Sequence, residues 1–222
     1  MIDTLAFFLV PGDRLRDSYS LTKNVLGCRK RGTSFEHQLT VFMPTILTHT
    51  AVPLALGLGL GTGVISRGLL AAGVVASMLP DVDVLAFRFH IAYTDTFGHR
   101  GASHSLMFAA MVGLFAMVLA TPLKTSRSKA FLFVGASCAS HGLLDALTNG
   151  GEGVGLWWPF SDVRVFFPWR FIQVSPLNLH RVFSGRGWEV LQSEFVWVWL
   201  PAIALCAALY LLRRRYALPV AG

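Results

Sequence analysis

Between residues 78 and 105, two acidic side chains and two histidines fall in tight arrangements that suit metal chemistry. PDVD (80–83) carries Asp81 and Asp83, and GHRGASHS (98–105) carries His99 and His104. Carboxylate oxygens and neutral imidazole nitrogens are the usual ligands of catalytic divalent ions. A second pair, His141 and Asp145, is spaced i and i+4 in SHGLLDALTNGG (140–151). That separation projects both side chains from one side of a helix toward a single ion. His49 opens an apolar run. Taken singly, each has a plain structural use: His49 in packing, Asp81 as a turn cap, His99 as a loop residue, Asp145 as a partner for Arg100. Ionisable groups at membrane depth are costly, and so many of them together point to a site.

Arg100 stands among these candidates. A guanidinium matches phosphate geometry, so Arg100 could stabilise charge on a phosphoryl oxygen; its other use is as partner to a carboxylate. Asp83 or Asp81, whichever is less committed to a metal, is the candidate general base. His37, His90 and His180 lie in polar or aromatic stretches and read as solvated or packing residues. GLGLGTG (57–63) follows no strand and precedes no Lys-Ser/Thr pair, so it reads as a small-residue packing face and not a phosphate loop.

The elements that must hold these groups are apolar helices. Of 222 residues, 54% are hydrophobic and 14% charged, against about 25% charged in soluble domains. The chain therefore reads as an all-α, polytopic integral membrane protein of about five helices, near 46–65, 68–79, 103–120, 130–147 and 195–212. A polar–aromatic segment, 150–193, precedes the last helix and suits the membrane interface. The second helix is short, and Pro80 is expected to stop it. Residues 1–42 lack a positively charged lead before LAFFLV (5–10) and read as a non-native or flexible extension, with Met43 as candidate start and 43–222 as a single membrane domain. The net charge of +7 is scattered along the chain, which is no nucleic-acid footprint. The three cysteines show no metal spacing.

Alternating helix directions bring the candidates to one membrane face. The start of the first helix, the end of the second, the start of the third and the end of the fourth share a side. Arg213–Arg215, the Lys124/Arg127/Lys129 loop and Arg67 favour a cytoplasmic location for the opposite side, which makes the His/Asp face external. Four arginines in 150–193 weigh against that orientation.

His49, PDVD, GHRGASHS, SHGLLDALTNGG and WPFSDVRVFFPW (158–169) together resemble the YdjM-like inner-membrane metal-dependent hydrolases. The resemblance runs from about residue 43 to 212. It implies a multi-pass protein of the bacterial inner membrane and a metal site at His49, Asp81, Asp83, His99, His104, His141 and Asp145. It implies no substrate. The expected function is a membrane-bound metal-dependent hydrolase, with zinc the best-suited ion and manganese or magnesium as alternatives. A lipid or lipid-linked phosphoester suits a site at headgroup depth in the bilayer. The rival is a non-enzymatic regulator or scaffold with a structural metal. A transporter is disfavoured, because the ligands gather at one end of the helices and not at the midplane.

Overall fold

Serine starts three of the helices. Ser66 accepts from the amide of Leu69 and opens α2 (Arg67–Met78). Ser105 accepts from Phe108 and opens α3 (Leu106–Val118), and Ser126 accepts from Lys129 and opens α4 (Arg127–Ala146). Each hydroxyl satisfies an amide that the first helical turn leaves without a partner. A 3₁₀ turn, Thr48–Thr50, leads into α1 (Ala51–Leu60), which ends at Gly61 with φ 73°. The computed structural model describes residues 42–43, 46–176 and 185–216. The readings of residues 1–41 and of His180 lie outside these.

Several expected boundaries change: the first helix ends at Leu60, not near 65, and the third and fourth start at Leu106 and Arg127, not near 103 and 130. The second α-helix ends at Met78, just ahead of Pro80 as expected, but the chain runs on without a turn as a 3₁₀ helix, Leu79–Phe89, with Pro80 at its start. A proline there forfeits no helical hydrogen bond, since the first amides have none to lose. The last helix starts ten residues before 195. α5 (Gly185–Glu194) continues through a π turn, Phe195–Trp199, into α6 (Leu200–Tyr216). The polar–aromatic segment before it is correspondingly shorter. A two-residue antiparallel pairing, Phe42–Met43 with Ser175–Pro176, fastens its end.

α4 lies at the centre, packed against α2 and α3, while α1 packs against α6. Leu69 and Ala76 of α2, Ala109 and Ala116 of α3, and Phe133, Val134 and Cys138 of α4 form the main apolar cluster. Small residues set the spacing, as in membrane bundles. A Cβ on Gly59 would come within 2.8 Å of Leu209, and one on Gly113 within 2.9 Å of the Phe131 carbonyl. The turn after α1 and the turn after α3 meet at the end away from the His/Asp residues. There the Ser66 hydroxyl donates to the Leu123 carbonyl, and Arg213 lies against Gly61.

The all-helical architecture and its helices agree with the expectation, but crossing by every helix does not follow. Among the described residues, two helices are long and apolar enough to cross a membrane: Arg67–Phe89, with 23 residues, and Gly187–Tyr216, with 30. Thr48–Leu60 and Leu106–Val118 are apolar but shorter than the roughly 20 residues a span requires. α6 buries none of its side chains, leaving Leu200, Ile203, Leu211 and Tyr216 exposed.

Candidate metal centre

Each site residue is held by a different kind of local structure. In a 3₁₀ helix, with three residues per turn, positions two apart face different directions. Asp81 and Asp83 on Leu79–Phe89 therefore part company. Asp81 points to α4 and Asp83 to the loop that carries His99 and His104. That loop closes with the 3₁₀ turn Ala102–His104. It lies against α4 where Gly142 has no side chain, and a Cβ there would collide with the His104 carbonyl. On α4 itself, His141 and Asp145 project from one side.

Asp81, His104, His141 and Asp145 come together, with one ligand atom of each within 4.8 Å of the others. His104 Nε2 is 3.2 Å from Asp145 Oδ2 and 4.0 Å from Asp81 Oδ1. His141 Nε2 is 3.3 Å from Asp81 Oδ1 and 3.7 Å from Asp145 Oδ2. A tetrahedron with metal–ligand bonds of about 2.0–2.1 Å has edges near 3.4 Å. The four His–Asp spacings, 3.2–4.0 Å, lie near such edges, in a cluster whose ligand atoms all fall within 4.8 Å.

The chemistry of the donors fits as well. His141 Nδ1 lies 2.6 Å from the Ser77 carbonyl, which can only accept, so Nδ1 carries the proton and Nε2 the lone pair. His104 Nδ1 lies 3.1 Å from Asp83 Oδ2, with the same consequence. Both bare nitrogens then face carboxylate oxygens, an arrangement that repels unless a cation or proton stands between. His104 Nε2 and His141 Nε2 are buried without a hydrogen-bond partner, and buried polar atoms left in that state demand an explanation; Asp145 Oδ2 forms no hydrogen bond either but has the Arg100 Nε 3.1 Å away. These residues could hold a metal ion. Burial works against protonation of His104, but its contacts with Asp145 and Asp83 outweigh this and raise its pKa to about 9. The proton is the stand-in for the cation.

The remaining sequence candidates sit around the cluster. His49 is fully buried and stacks on His141, ring centroids 3.6 Å apart, with Nε2 3.8 Å from Asp145 Oδ1. It is next to the four and not among them. Asp83 is saturated: Oδ1 takes His99 Nδ1 at 2.6 Å, and Oδ2 takes the Arg100 amide at 3.1 Å and the Ser103 hydroxyl at 2.6 Å besides His104. Its geometry is that of an outer carboxylate that orients ligand histidines, and His99 shares that outer layer.

Arg100 has no arm left for a phosphate. Nε and one terminal nitrogen lie 3.1 Å from Asp145, and the other donates to the Thr148 hydroxyl at 3.0 Å and the Gly150 carbonyl at 2.9 Å. It is fully buried with φ 61°, a left-handed conformation disfavoured for a side chain of this size. The network compensates that strain.

Several contributors escaped the sequence reading. Ser103 bridges Asp83 and His104, and its place inside HRGASHS was the available signal. Thr148 supports Arg100 from three residues beyond Asp145. Glu194, buried and bonded to the Thr48 hydroxyl at 2.7 Å, adjoins His49 in sequence through Thr48. An acid in the last apolar stretch could have flagged it. Arg164 donates to the carbonyls of His99, Tyr93 and Asp95, and so ties the aromatic segment to the site loop.

Against known proteins, residues 43–217 match the family model described as YdjM inner membrane protein. The inner membrane protein YbcI of Escherichia coli (strain K12) is 48% identical over 173 residues, which cover 78% of this chain and 100% of the relative. No solved structure matches. The motifs, the helical scaffold and a match across most of the chain converge: it belongs to the YdjM inner membrane protein family.

Proposed function

We propose that the chain is a membrane-bound metal-dependent hydrolase acting on a lipid or lipid-linked phosphoester. The observation that carries this reading is the convergence of Asp81, His104, His141 and Asp145 around one point, with orphaned nitrogens aimed at it. Two imidazoles and two carboxylates near tetrahedral spacing suit zinc best, manganese and magnesium less well. A divalent ion held there would lower the pKa of a water and polarise the bond to be cut.

The chain's own groups divide the remaining work. Asp81 has Oδ1 turned to His141 while Oδ2 lacks a hydrogen-bond partner, so Asp81 is better placed than saturated Asp83 to take a proton. Asp83 keeps His104 in the tautomer that offers Nε2. Arg100 holds Asp145 in place and neutralises part of the buried negative charge. Arg67, Lys124, Arg127 and Arg213–Arg215 lie at or beside the end away from the site, which supports an external, multi-pass orientation.

A second reading is a structural metal in a membrane scaffold. It is favoured by burial: none of the four is more than 6% exposed, as in closed sites without an open position for water. Metal content, then coordination number by X-ray absorption, on detergent-purified protein beside His104→Ala and Asp145→Ala separates the readings. One or two equivalents with a bound water, absent in both variants, supports the hydrolase and directs a screen of lipid phosphoesters. A closed shell of protein ligands supports the scaffold. Empty protein after reconstitution with zinc or manganese removes both.

A further inference from the structure

A pocket of about 310 Å³ opens beside the site loop, lined by Leu79, Pro80, Val82, Asp83, Phe97, Ser103 and Phe108. Its lining is mostly apolar, and its polar side chains are Asp83 and Ser103. Val82 and Phe97 at its rim are 53% and 66% exposed, so the mouth is an apolar surface open to its surroundings. Leu79, Pro80, Val82 and Asp83 belong to the apolar helix Arg67–Phe89, which is long enough to span. In an inner membrane protein that flank meets acyl chains. The polar end touches the metal centre through one residue: Ser103 and Asp83 both contact Nδ1 of His104, whose Nε2 faces the cluster.

We propose that this pocket binds the apolar chain of a single-chain or partly withdrawn amphiphile, with the chain's polar end resting against Ser103 and Asp83. The volume is at the lower limit of the roughly 300–1,000 Å³ of small-molecule sites. It admits one chain and not a whole two-chain lipid. The polar end it receives is an uncharged hydrogen-bond donor to the Ser103 oxygen, because the Asp83 carboxylate repels an anion and already takes His99, His104, the Arg100 amide and Ser103. A hydroxyl of a long-chain lipid has this chemistry; an ester, which only accepts, does not. The proposal goes beyond the hydrolase reading and does not name its substrate: the pocket reaches His104 at Nδ1, on the side away from the cluster at Nε2, so it is a lipid-chain site beside the metal centre and not the seat of the bond to be cut.

The test uses the full chain in phosphatidylcholine vesicles containing a monoacylglycerol with a diazirine in its acyl chain. After irradiation, crosslinks are mapped by mass spectrometry and metal is measured on the same sample. Label concentrates on peptides holding Val82, Phe97 and Phe108, and Val82→Trp, which fills the mouth, lowers it at least fivefold with metal content unchanged. Leu79→Trp from the adjoining wall does the same, so the result does not depend on one variant folding. Ser103→Ala spreads the label along the pocket because the polar end loses its stop. Label that instead follows the exposed faces of α3 and α6, or the larger groove beside Leu47, Trp188 and Trp199, and ignores both tryptophans, overturns the proposal. Chelator-stripped protein keeps the failures distinct. Pocket labelling in a chain that never takes up metal keeps the binding site and sinks the hydrolase; metal uptake without pocket labelling does the reverse.

Discussion

His141 donates its Nδ1 proton to the backbone carbonyl of Ser77, 2.6 Å away on the last turn of α2. One hydrogen bond thus joins the packing of α2 on α4 to the chemistry of the site. It fixes which nitrogen of His141 is bare, and it fixes that nitrogen at the cluster. Any change that separates α2 from α4 therefore reaches the site before it reaches the fold.

Asp83 tests the outer layer. In Asp83→Asn one acceptor oxygen becomes an NH₂ donor that meets an imidazole N–H or the Ser103 hydroxyl. His99 or His104 must then reorient or change tautomer. Metal affinity should fall about 10–100-fold, the usual cost of losing such a partner, with helix content unchanged. Competition with a metal-sensing chelator measures it, and an unaltered affinity would remove Asp83 from its orienting role.

Removing Arg100 exposes Asp145 to its own burial. Arg100→Ala leaves a carboxylate 1% exposed without its cation, a loss that typically costs about 3–5 kcal/mol. Arg100→Lys is no remedy, because one ammonium cannot reproduce the contacts to Asp145, Thr148 and Gly150. Both variants should melt well below the parent in metal-free detergent solution. Added metal should recover part of the loss, since it supplies positive charge at Asp145.

The pH response of the metal-free chain has a defined sign. The pKa of His104 is raised to about 9 in the folded state, above an ordinary value of about 6.5. Its stabilising proton is fully held below pH 6.5 and is lost as pH rises through 9. Metal-free protein should therefore lose thermal stability between pH 7 and 9.5. Metal must displace this proton, so apparent affinity should rise about tenfold per pH unit below 9. Titration calorimetry in buffers of different ionisation enthalpy counts the released proton; a count of zero contradicts the arrangement.

Gly142→Ala probes the contact between α4 and the site loop. The added Cβ meets the His104 carbonyl and Leu156, which pushes the loop from the helix. Alanine is the better helix former by about 1 kcal/mol, so circular dichroism should show no loss of helix. Metal content should drop severalfold. Full metal retention would mean that the loop moves freely enough to absorb the methyl.

The helical class, the gathering of His and Asp at one end and the i, i+4 pair on α4 could be read from the chain alone. They depend on periodicity, on alternating helix direction and on the spacing of residue types, all of which are local. The N-caps are local too, yet the expected starts near 103 and 130 passed over Ser105 and Ser126, which directly precede their helices. The number of helices long enough to cross was not legible, because Leu79–Phe89 extends α2 past a proline and α5 joins α6 without a break. Nor was the division among the candidates. Asp81 and Asp83 are equal in sequence, and only the tight 3₁₀ turn sends one to the cluster and the other to the backs of His99 and His104. Arg100 could have faced a phosphate or a carboxylate; its left-handed backbone and the distant Asp145, Thr148 and Gly150 chose the carboxylate. Residue type sets what a side chain can bind, but a hydrogen bond across 45 residues exists only once the helices have packed.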